Sequence, residues 1–449
     1  MNAMRAALFL TLSACLLLQG CGEEKSGPKP PDVTSAPKGA GNEGRPEPQV
    51  AKPLVFWHTQ AQSNLKVLQE IVDRYNASKP PIAVELHYAG NYTTLFEKVR
   101  VTIPTGKLPD LVVAYESMVA EYIELQAVVP LDDYIHDAKI GLSKASLDDI
   151  FPSILNNNRY RAYGNKFYTF PFTKSVLMMY YNPGLLKQAG FGAPPKTWKQ
   201  FRQQCDAVTK AGKKGYAISI DASTIDAMVM SFGGEILSED RTRAQFDSPA
   251  GVAAFKLLYD LVKSGGGYLI DRESYGDRKD FSSGRCAFII RSSTTRPYIA
   301  KDIKDKFNWD MAIIPHGEGA KPVTVLFGAN IAVMKTTEER QRAAWQFVKY
   351  FCSKDVTAKW ATGTGYLPVR KSAAETKVVQ SFFAENPRNR RAFDALPRAR
   401  PEPGVIGWQA VRKQIELAES RAISGRTRPD VIARRLANKA NAALRKARQ

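Results

Sequence analysis

Apolar positions along the chain alternate between two patterns from residue 54 onward. Residues 54–58 form a short apolar run that predicts a strand, and residues 64–75 repeat apolar side chains at three- and four-residue intervals, which predicts a helix. The same alternation continues with strands predicted at 82–88 and 108–113 and helices at 95–103 and 118–126. Strands and helices that alternate over short connections are typical of mostly parallel sheets flanked by helices. We therefore predict an α/β fold.

The connections that follow these strands are candidate ligand contacts. In open α/β sheets, ligands bind beyond the carboxyl ends of the strands, where loops lead into helices. His58, the loop at 90–92 and the pair Tyr115 and Glu116 each follow a predicted strand. A second set of elements begins near 167–181, and Thr197 is a candidate N-cap for the helix after it.

The first 52 residues have a different character. Residues 1–20 contain one positive charge followed by an apolar run that is too short for a permanent membrane span, which predicts a signal peptide. This run ends at Cys21, preceded by Leu18, Gln19 and Gly20, a pattern that resembles the lipobox of bacterial lipoproteins. Residues 21–52 are rich in Gly, Pro, Glu, Lys and Ser and predict a disordered tether behind a lipidated Cys21.

Composition narrows the possible functions of the remaining chain. About 400 residues exceed what one hydrophobic core usually supports, so we predict two domains. Cys205, Cys286 and Cys352 are far apart in sequence and are expected to be buried free thiols, with no metal site. The formal net charge of +20 is spread along the chain, and together with the export signal this argues against nucleic-acid binding. No phosphate loop, nucleophile elbow, zinc motif or dinucleotide fingerprint is present, so we expect neither catalysis nor a cofactor.

Short motifs in a fixed order resemble a known family, the extracellular solute-binding proteins of sugar ABC importers, which includes the maltose-binding and glycerol-3-phosphate-binding proteins. The matching segments cover most of the chain after residue 52 and are 56–58, 90–92, 108–111, 131–134, 164–168, 180–182, 195–198, 281–287, 328–330 and 364–370. The resemblance implies a periplasmic-binding-protein-like fold, with two α/β lobes joined by a hinge and a ligand cleft between them. We predict an N-terminal lobe from 53–173 and 327–373 and a C-terminal lobe from 174–326 and 374–449.

The family pocket, carried over position by position, implies a set of ligand-binding residues. The chain segments that match the family's ligand contacts place them at Tyr92, Glu116, Ser175, Ser292, Ser293, Gly328 and Tyr366. A one-place shift would substitute Lys174 for Ser175. The family's late arginine falls on Arg400 or on Arg398, and the segment around Trp408 resembles maltose-binding protein, which implies an indole that stacks on a sugar ring.

The resemblance implies a partner set as well as a site. The expected ligand is a small sugar, oligosaccharide or polyol phosphate, which hinge closure captures and which the protein delivers to ABC permease and ATPase subunits. A monomer anchored by lipid to the cell envelope and facing the periplasm or the outside is expected. Two alternatives stay open: a secreted hydrolase of saccharides, which needs two carboxylates across a bond, and a sensory or adhesion lipoprotein on the same fold.

Overall fold

The computed structural model describes residues 52–270 and 275–449, so the predicted signal peptide, Cys21 and most of the tether lie outside the described residues. The strands, in chain order, are β1 Leu54–His58, β2 Val84–Tyr88, β3 Leu111–Ala114, β4 Arg159–Tyr160, β5 Lys166–Phe167, β6 Thr169–Pro171, β7 Ser175–Tyr181, β8 Lys214–Ile218, β9 Gly267–Leu269, β10 Cys286–Ser292, β11 Asp310–Ile313, β12 Thr324–Phe327, β13 Asn330–Val333 and β14 Ala399–Pro401.

Helices surround these strands. In chain order they are α1 Gln62–Ala77, α2 Tyr92–Thr102, α3 Glu116–Glu124, α4 Asp132–His136, α5 Lys144–Asp148, α6 Pro152–Asn157, α7 Pro183–Gln188, α8 Trp198–Lys210, α9 Ala222–Ser231, α10 Pro249–Ser264, α11 Gly276–Ser282, α12 Arg296–Ile303, α13 Glu338–Phe351, α14 Lys354–Thr364, α15 Lys377–Glu385, α16 Pro387–Ala395, α17 Trp408–Ile423 and α18 Pro429–Ala447. Among the described residues, none of these helices is both long and apolar enough to traverse a bilayer.

Most strands belong to one of two sheets. The first sheet has the order β2-β1-β3-β13-β6, and the second has the order β14-β12-β7-β10-β8-β9, with β11 also paired to β7. Strands β1, β2 and β3 are parallel to one another, as the alternating pattern predicts. The elements predicted for this part of the chain are present, with ends that differ by a few residues.

The prediction of mostly parallel sheets is confirmed, with one reversed strand in each of the two large sheets. Strand β13 is antiparallel to β3 and β6, and β7 is antiparallel to β10, β11 and β12. The cause is the route of the chain. Strands β6 and β7 follow one another from the first sheet into the second, and β12 and β13 return in the opposite direction. As a result, β7 runs against the other strands of the second sheet, and β13 runs against the other strands of the first.

Three segments connect the two sheets. The third, residues 334–398, runs from β13 through α13–α16 to β14, and the other two are short crossings. The first crossing, residues 172–174, separates β6 from β7, and the second crossing, residues 328–329, separates β12 from β13. At Gly328, φ is +112°, and a Cβ built there would lie 1.9 Å from the backbone oxygen of Thr173. The two crossings therefore touch backbone to backbone. The lobe boundaries predicted from the sequence stay a prediction.

The apolar side chains form the expected interior. Phe56, Trp345 and Trp360 are buried with the first sheet, and Trp198 and Phe201 are buried with the second. Thr197 caps α8 through a capping box with Gln200, as predicted. The predicted burial of the thiols is confirmed, since Cys205, Cys286 and Cys352 are buried and unpaired.

Candidate functional site

A cavity of about 280 Å³ lies where residues that follow the strands of both sheets meet. We call it the tyrosine cavity. Its lining consists of aromatic and aliphatic side chains, hydroxyl groups, one glycine and two charged side chains: Tyr92, Tyr115, Ser175, Leu177, Ser219, Asp221, Ile290, Arg291, Ser292, Thr294, Thr295, Phe327, Gly328 and Tyr366. Pockets of this kind, with apolar faces and a few placed polar groups, bind small polar ligands.

Three tyrosines form the wall next to the first sheet. Tyr92 begins α2, whose N-cap Asn91 accepts a bond from the Thr94 amide at 2.9 Å. The rings of Tyr92 and Tyr115 lie 4.3 Å apart, and Tyr366 stacks on Trp360 with ring centres 6.0 Å apart. Burial raises the pKa of each of the three hydroxyls above its usual value, so they are neutral donors and acceptors at physiological pH.

Hydroxyl groups form the wall next to the second sheet. Ser292 Oγ donates to Ser175 Oγ at 3.0 Å, and it accepts from the Thr294 amide at 3.3 Å. Because Ser175 lies on β7 and Ser292 ends β10, the antiparallel pairing of these strands holds the two hydroxyls together. The wall thus presents donors and acceptors that suit the hydroxyls of a polyol or sugar.

Arg291 and Asp221 are the charged residues of the tyrosine cavity. Two nitrogens of Arg291 contact the buried carboxylate of Asp277, and its Nη2 also donates to Ser219 Oγ at 3.3 Å. The Asp221 carboxylate lies 3.5 Å from Arg412 Nη2 and accepts from the Thr224 hydroxyl at 3.3 Å. Both charges are therefore held by protein partners, and the cavity keeps a fixed orientation of polar groups.

Glu116 and Lys174 lie behind the tyrosine cavity in one buried polar cluster. Lys174 Nζ donates to Oδ1 of Asn157 and Oδ1 of Asn330, each at 2.6 Å, and to the Gly328 carbonyl at 3.1 Å. Glu116 Oε1 accepts from the amide nitrogens of the same two asparagines. We call these four side chains the hinge cluster, because Lys174 belongs to the first crossing and Asn330 follows the second.

Burial dominates the electrostatics of the hinge cluster. Burial lowers the pKa of Lys174 to about 8, while the Glu116 carboxylate acts in the opposite direction. Burial likewise raises the pKa of Glu116, and the Lys174 ammonium opposes that rise. Each charge offsets part of the desolvation cost of the other, so loss of one partner leaves the other charge buried without compensation.

A larger cavity of about 1150 Å³ lies on the other side of Glu116, and we call it the arginine cavity. Arg400, from β14, lines it and pairs with Glu235 at 2.5 Å, whereas Arg398 lines a separate depression beside Met178 and Met311. The remaining arginines of its lining are Arg159, Arg161 and Arg241.

The structure brings together only part of the site predicted from the sequence. Tyr92, Ser175, Ser292, Gly328 and Tyr366 line the tyrosine cavity. Glu116 and Arg400 line the arginine cavity instead. Of the two alternatives Lys174 and Ser175, Ser175 lines the tyrosine cavity, whereas the Lys174 side chain is fully buried in the hinge cluster.

Two predicted ligand contacts lie elsewhere. Trp408 is 1% exposed, and its ring stacks on Phe246 with centres 6.4 Å apart, so the face expected to meet a sugar is packed in the apolar core. Ser293 is buried, and its hydroxyl accepts from the Val176 amide at 3.3 Å, which gives it a structural partner. Neither residue lines the tyrosine cavity or the arginine cavity, and their contact with a ligand stays a prediction.

Sequence reasoning missed several residues of the two cavities. Ser219 and Asp221 follow β8, so the rule that ligands meet the carboxyl ends of strands would have found them had residues 214–218 been identified as a strand. Arg161 and Arg241 lie in turns with no motif around them, and no signal in the sequence distinguishes them from other surface arginines.

Comparison with known proteins places the chain among binding proteins. Residues 70–387 match the family described as bacterial extracellular solute-binding protein. The sn-glycerol-3-phosphate-binding periplasmic protein UgpB of Yersinia pestis is 28% identical over 348 residues, which are 74% of this chain and 78% of that protein. The Escherichia coli protein of the same name is 25% identical over 373 residues, which are 80% of this chain and 84% of that protein.

Solved structures share the fold at lower identity. The cyclic alpha-maltosyl-1,6-maltose binding protein of Arthrobacter globiformis superposes with a TM-score of 0.78 at 21% identity, covering 88% of this chain and 99% of that one. UgpB from Mycobacterium tuberculosis, solved in complex with glycerophosphocholine, gives a TM-score of 0.76 at 22% identity, covering 89% of this chain and 100% of that one.

Proposed function

Because the chain belongs to the bacterial extracellular solute-binding protein family, we propose that it captures a sugar or polyol phosphate between its two sheets and delivers it to an ABC importer. Its fold is the periplasmic-binding-protein-like fold expected from the sequence. The observation that carries the proposal is the tyrosine cavity, whose lining comes from both sheets and combines aromatic faces with paired hydroxyls.

The chemistry of the tyrosine cavity favours binding of a hydroxylated ligand. A sugar or polyol that leaves water must replace each lost hydrogen bond, and Ser175, Ser292 and the neutral tyrosine hydroxyls supply both donors and acceptors. The faces of Tyr92 and Tyr366 offer apolar contact for the C–H surface of such a ligand. The relatives from Yersinia pestis and Escherichia coli, named for sn-glycerol 3-phosphate, make a polyol phosphate one candidate, beside a neutral sugar.

Hinge closure is part of this proposal. A ligand that contacts both walls favours the closed arrangement by its differential affinity for the two states. The crossings at 172–174 and 328–329 are the segments about which the two sheets would move. Small-angle scattering at ligand saturation should give a smaller radius of gyration, and an unchanged profile would contradict closure.

Hydrolysis fits the tyrosine cavity less well than binding. A glycosidase of the common type needs two carboxyl groups placed across the scissile bond. Among the described residues that line this cavity, Asp221 is the only one with a carboxylate, and that carboxylate is paired with Arg412. We propose binding without catalysis, by a lipid-anchored monomer of the cell envelope that works with permease and ATPase subunits.

A thermal-shift screen of neutral sugars and polyol phosphates tests the proposed function. The full chain carrying Cys21→Ser, so that no lipid is attached, is the protein to use. A true ligand raises the melting temperature with the logarithm of its concentration, because it binds the native state alone. The hit should lose affinity in Tyr92→Ala and Ser175→Ala. A panel without any concentration-dependent shift would refute the proposal, and uptake unchanged after gene deletion would favour a sensory role.

A further inference from the structure

Positive charge is spread along the chain, but the last helix, α18, concentrates it on one face. The apolar residues of this helix are buried against α10 and α17: Ile432, Ala433, Leu436, Ala437, Ala440 and Leu444. Its exposed face carries five basic residues, which we call the basic stripe: Arg434, Arg435, Lys439, Arg445 and Lys446. From residue 431 to residue 449 the chain contains no aspartate or glutamate. Asp430, at the start of the helix, is already paired with Arg428.

Other surface helices of this protein carry both signs of charge and pair them. Arg202 of α8 and Lys256 of α10 each lie 2.8 Å from the Asp260 carboxylate. By contrast, no residue of the basic stripe has an ion-pair partner within the part of the chain that the structure describes. Arg435 and Lys439 are four residues apart, a spacing at which like charges weaken a helix. The stripe therefore retains a repulsion that its own helix does nothing to relieve.

The helix dipole accounts for only part of the stripe. Basic side chains in the last turn interact favourably with the partial negative charge at the C-terminal end, which explains Arg445 and Lys446. Arg434 and Arg435 lie in the second turn, nearer the end at which the dipole favours acids. A partner of opposite charge outside the chain accounts for all five residues together.

We propose that the basic stripe docks the protein on the anionic headgroups of a membrane. From Arg434 to Lys446 the stripe is roughly 18 Å long, at the rise of an α-helix. Lysine and arginine side chains are attracted to an anionic lipid surface within a Debye length of it. Because the apolar face of α18 is committed to the protein core, the helix does not insert, and the contact is electrostatic and reversible by salt. This inference goes beyond the proposed function and does not depend on which solute is bound.

The predicted lipid anchor favours a membrane as the partner over an acidic protein or a nucleic acid. Roughly 30 residues separate Cys21 from Lys52, the first described residue, and a flexible chain of that length has a root-mean-square extension of roughly 30 Å. An anchored body would stay that close to the headgroups. Their local concentration is then high, so a weak electrostatic contact is enough to hold α18 against the surface.

Vesicle sedimentation tests the docking surface with three forms of the full chain, each carrying Cys21→Ser so that no lipid is attached. They are the parent, an Arg434→Gln/Arg435→Gln/Lys439→Gln variant, and a Lys98→Gln/Lys187→Gln/Lys210→Gln control. The control removes the same net charge from exposed positions on α2, α7 and α8. The predicted signal peptide is present in all three proteins, so its own affinity for lipid cancels in the comparison.

The vesicles consist of phosphatidylcholine alone or of phosphatidylcholine with roughly 30% phosphatidylglycerol, which supplies the negative surface potential. The parent should bind the anionic vesicles more tightly than the neutral ones. The stripe variant should lose roughly tenfold or more of this affinity, and the control should stay within about threefold of the parent. An increase from about 50 to about 500 mM salt should remove the preference of the parent for anionic vesicles, because screening shortens the reach of the charges.

Three results would overturn the proposal. The first is equal binding of the stripe variant and the control to anionic vesicles, and the second is equal binding of the parent to anionic and neutral vesicles. The third is no binding of the parent to anionic vesicles at low salt, which would leave an acidic protein as the partner of the stripe.

Folding and solute capture are controlled separately. Glutamine is about as good a helix former as arginine and lysine, so circular dichroism and the melting temperature of the stripe variant should match those of the parent. Its affinity for a solute found in the thermal-shift screen should also be unchanged, so a failure of docking leaves the proposed function standing. Vesicle binding requires no solute, so a failure of solute capture leaves the docking surface standing.

Discussion

The ammonium of Lys174 lies 2.6 Å from Oδ1 of Asn330, so a charge on the first crossing is bound by the residue that follows the second. Glu116 accepts from the amide of the same Asn330 at 3.2 Å. Lys174, which the family resemblance offered as an alternative ligand contact, thus joins the two short crossings between the sheets. Lys174 therefore has a structural role in the hinge cluster. The next residue, Ser175, lines the tyrosine cavity.

Replacement of Lys174 by Met should destabilise the protein by about 3–5 kcal/mol, because it leaves the buried Glu116 carboxylate without its counter-charge. Urea unfolding measures the change. Lys210→Met, on the exposed end of α8, is the control and should change stability by less than about 0.5 kcal/mol. Adding Glu116→Gln to Lys174→Met should recover part of the loss; a double variant no more stable than the single one would contradict the hinge cluster.

Gly328→Ala should be destabilising by more than about 2 kcal/mol, because the new Cβ would lie 1.9 Å from the Thr173 oxygen. Gly190→Ala separates this clash from the cost of positive φ. Gly190 has φ of +89° and nothing within 4 Å of its ideal Cβ, so its substitution carries the conformational cost alone. Equal losses of unfolding free energy for the two variants would show that the crossings do not constrain each other.

Trp408→Ala should affect stability and not ligand affinity. Its indole is buried against Phe246, so truncation should cost about 3–5 kcal/mol of unfolding free energy through lost apolar contact and a residual cavity. Calorimetry below the lowered melting temperature should return the parent's affinity for whichever solute the screen identifies. A large loss of affinity in the folded variant would restore the stacking role implied by the family resemblance.

Acid should destabilise the protein through His58. Burial, and to a lesser extent His87, lowers the pKa of His58 to about 4, and the Gln60 amide donates to its Nδ1 at 3.1 Å. Between about pH 6.5 and 4 the unfolded chain therefore binds a proton that the folded chain does not. The stability that the neutral His58 ring contributes is fully present above pH 6.5. It is lost as the pH falls through this window, by at most about 1.4 kcal/mol of unfolding free energy per pH unit.

Unfolding by urea at several pH values measures this contribution of His58. The parent should lose stability more steeply than His58→Gln from pH 6.5 downward, because glutamine does not titrate. His136→Gln removes an exposed histidine and should keep the parent's slope. If the His58→Gln slope equals that of the parent, the histidine does not carry the effect.

Cys21→Ser should release the protein from membranes, because Cys21 is the residue predicted to take the lipid. Cell fractionation and metabolic labelling with a fatty acid check the prediction. Cys15→Ser changes the cysteine within the predicted signal peptide and should leave the protein in the membrane fraction. Retention of the Cys21→Ser protein there would mean that something other than this cysteine holds it.

The sequence predicts local structure well where one face of an element is apolar. Residues 54–58 and 64–75 form β1 and most of α1, because their periodicity reports burial directly. The antiparallel strands could not be predicted in the same way, since pairing direction depends on how the chain crosses between the sheets.

The site residues likewise divide into those that local sequence could predict and those that depend on how the chain packs. Tyr92 lies in the connection that follows β2, so the rule about sheet geometry locates it, whereas Ser292 was predicted from the family resemblance alone. Trp408 has the same local sequence as a ligand-stacking residue, but its helix faces Phe246, and a short motif does not specify which face of a helix is buried. Arg161 and Arg241 come together only in three dimensions, from turns far apart in the chain.

The place of β13 within the first sheet has a consequence for biosynthesis. Residues 330–333 lie between β3 and β6, so the sheet that begins at residue 54 lacks an inner strand until more than two thirds of the chain has left the ribosome. Contacts of such long sequence separation form slowly. We expect a nascent chain that cannot complete its first sheet to stay unfolded for most of its synthesis, which would suit passage through a translocation channel if the predicted signal peptide directs export.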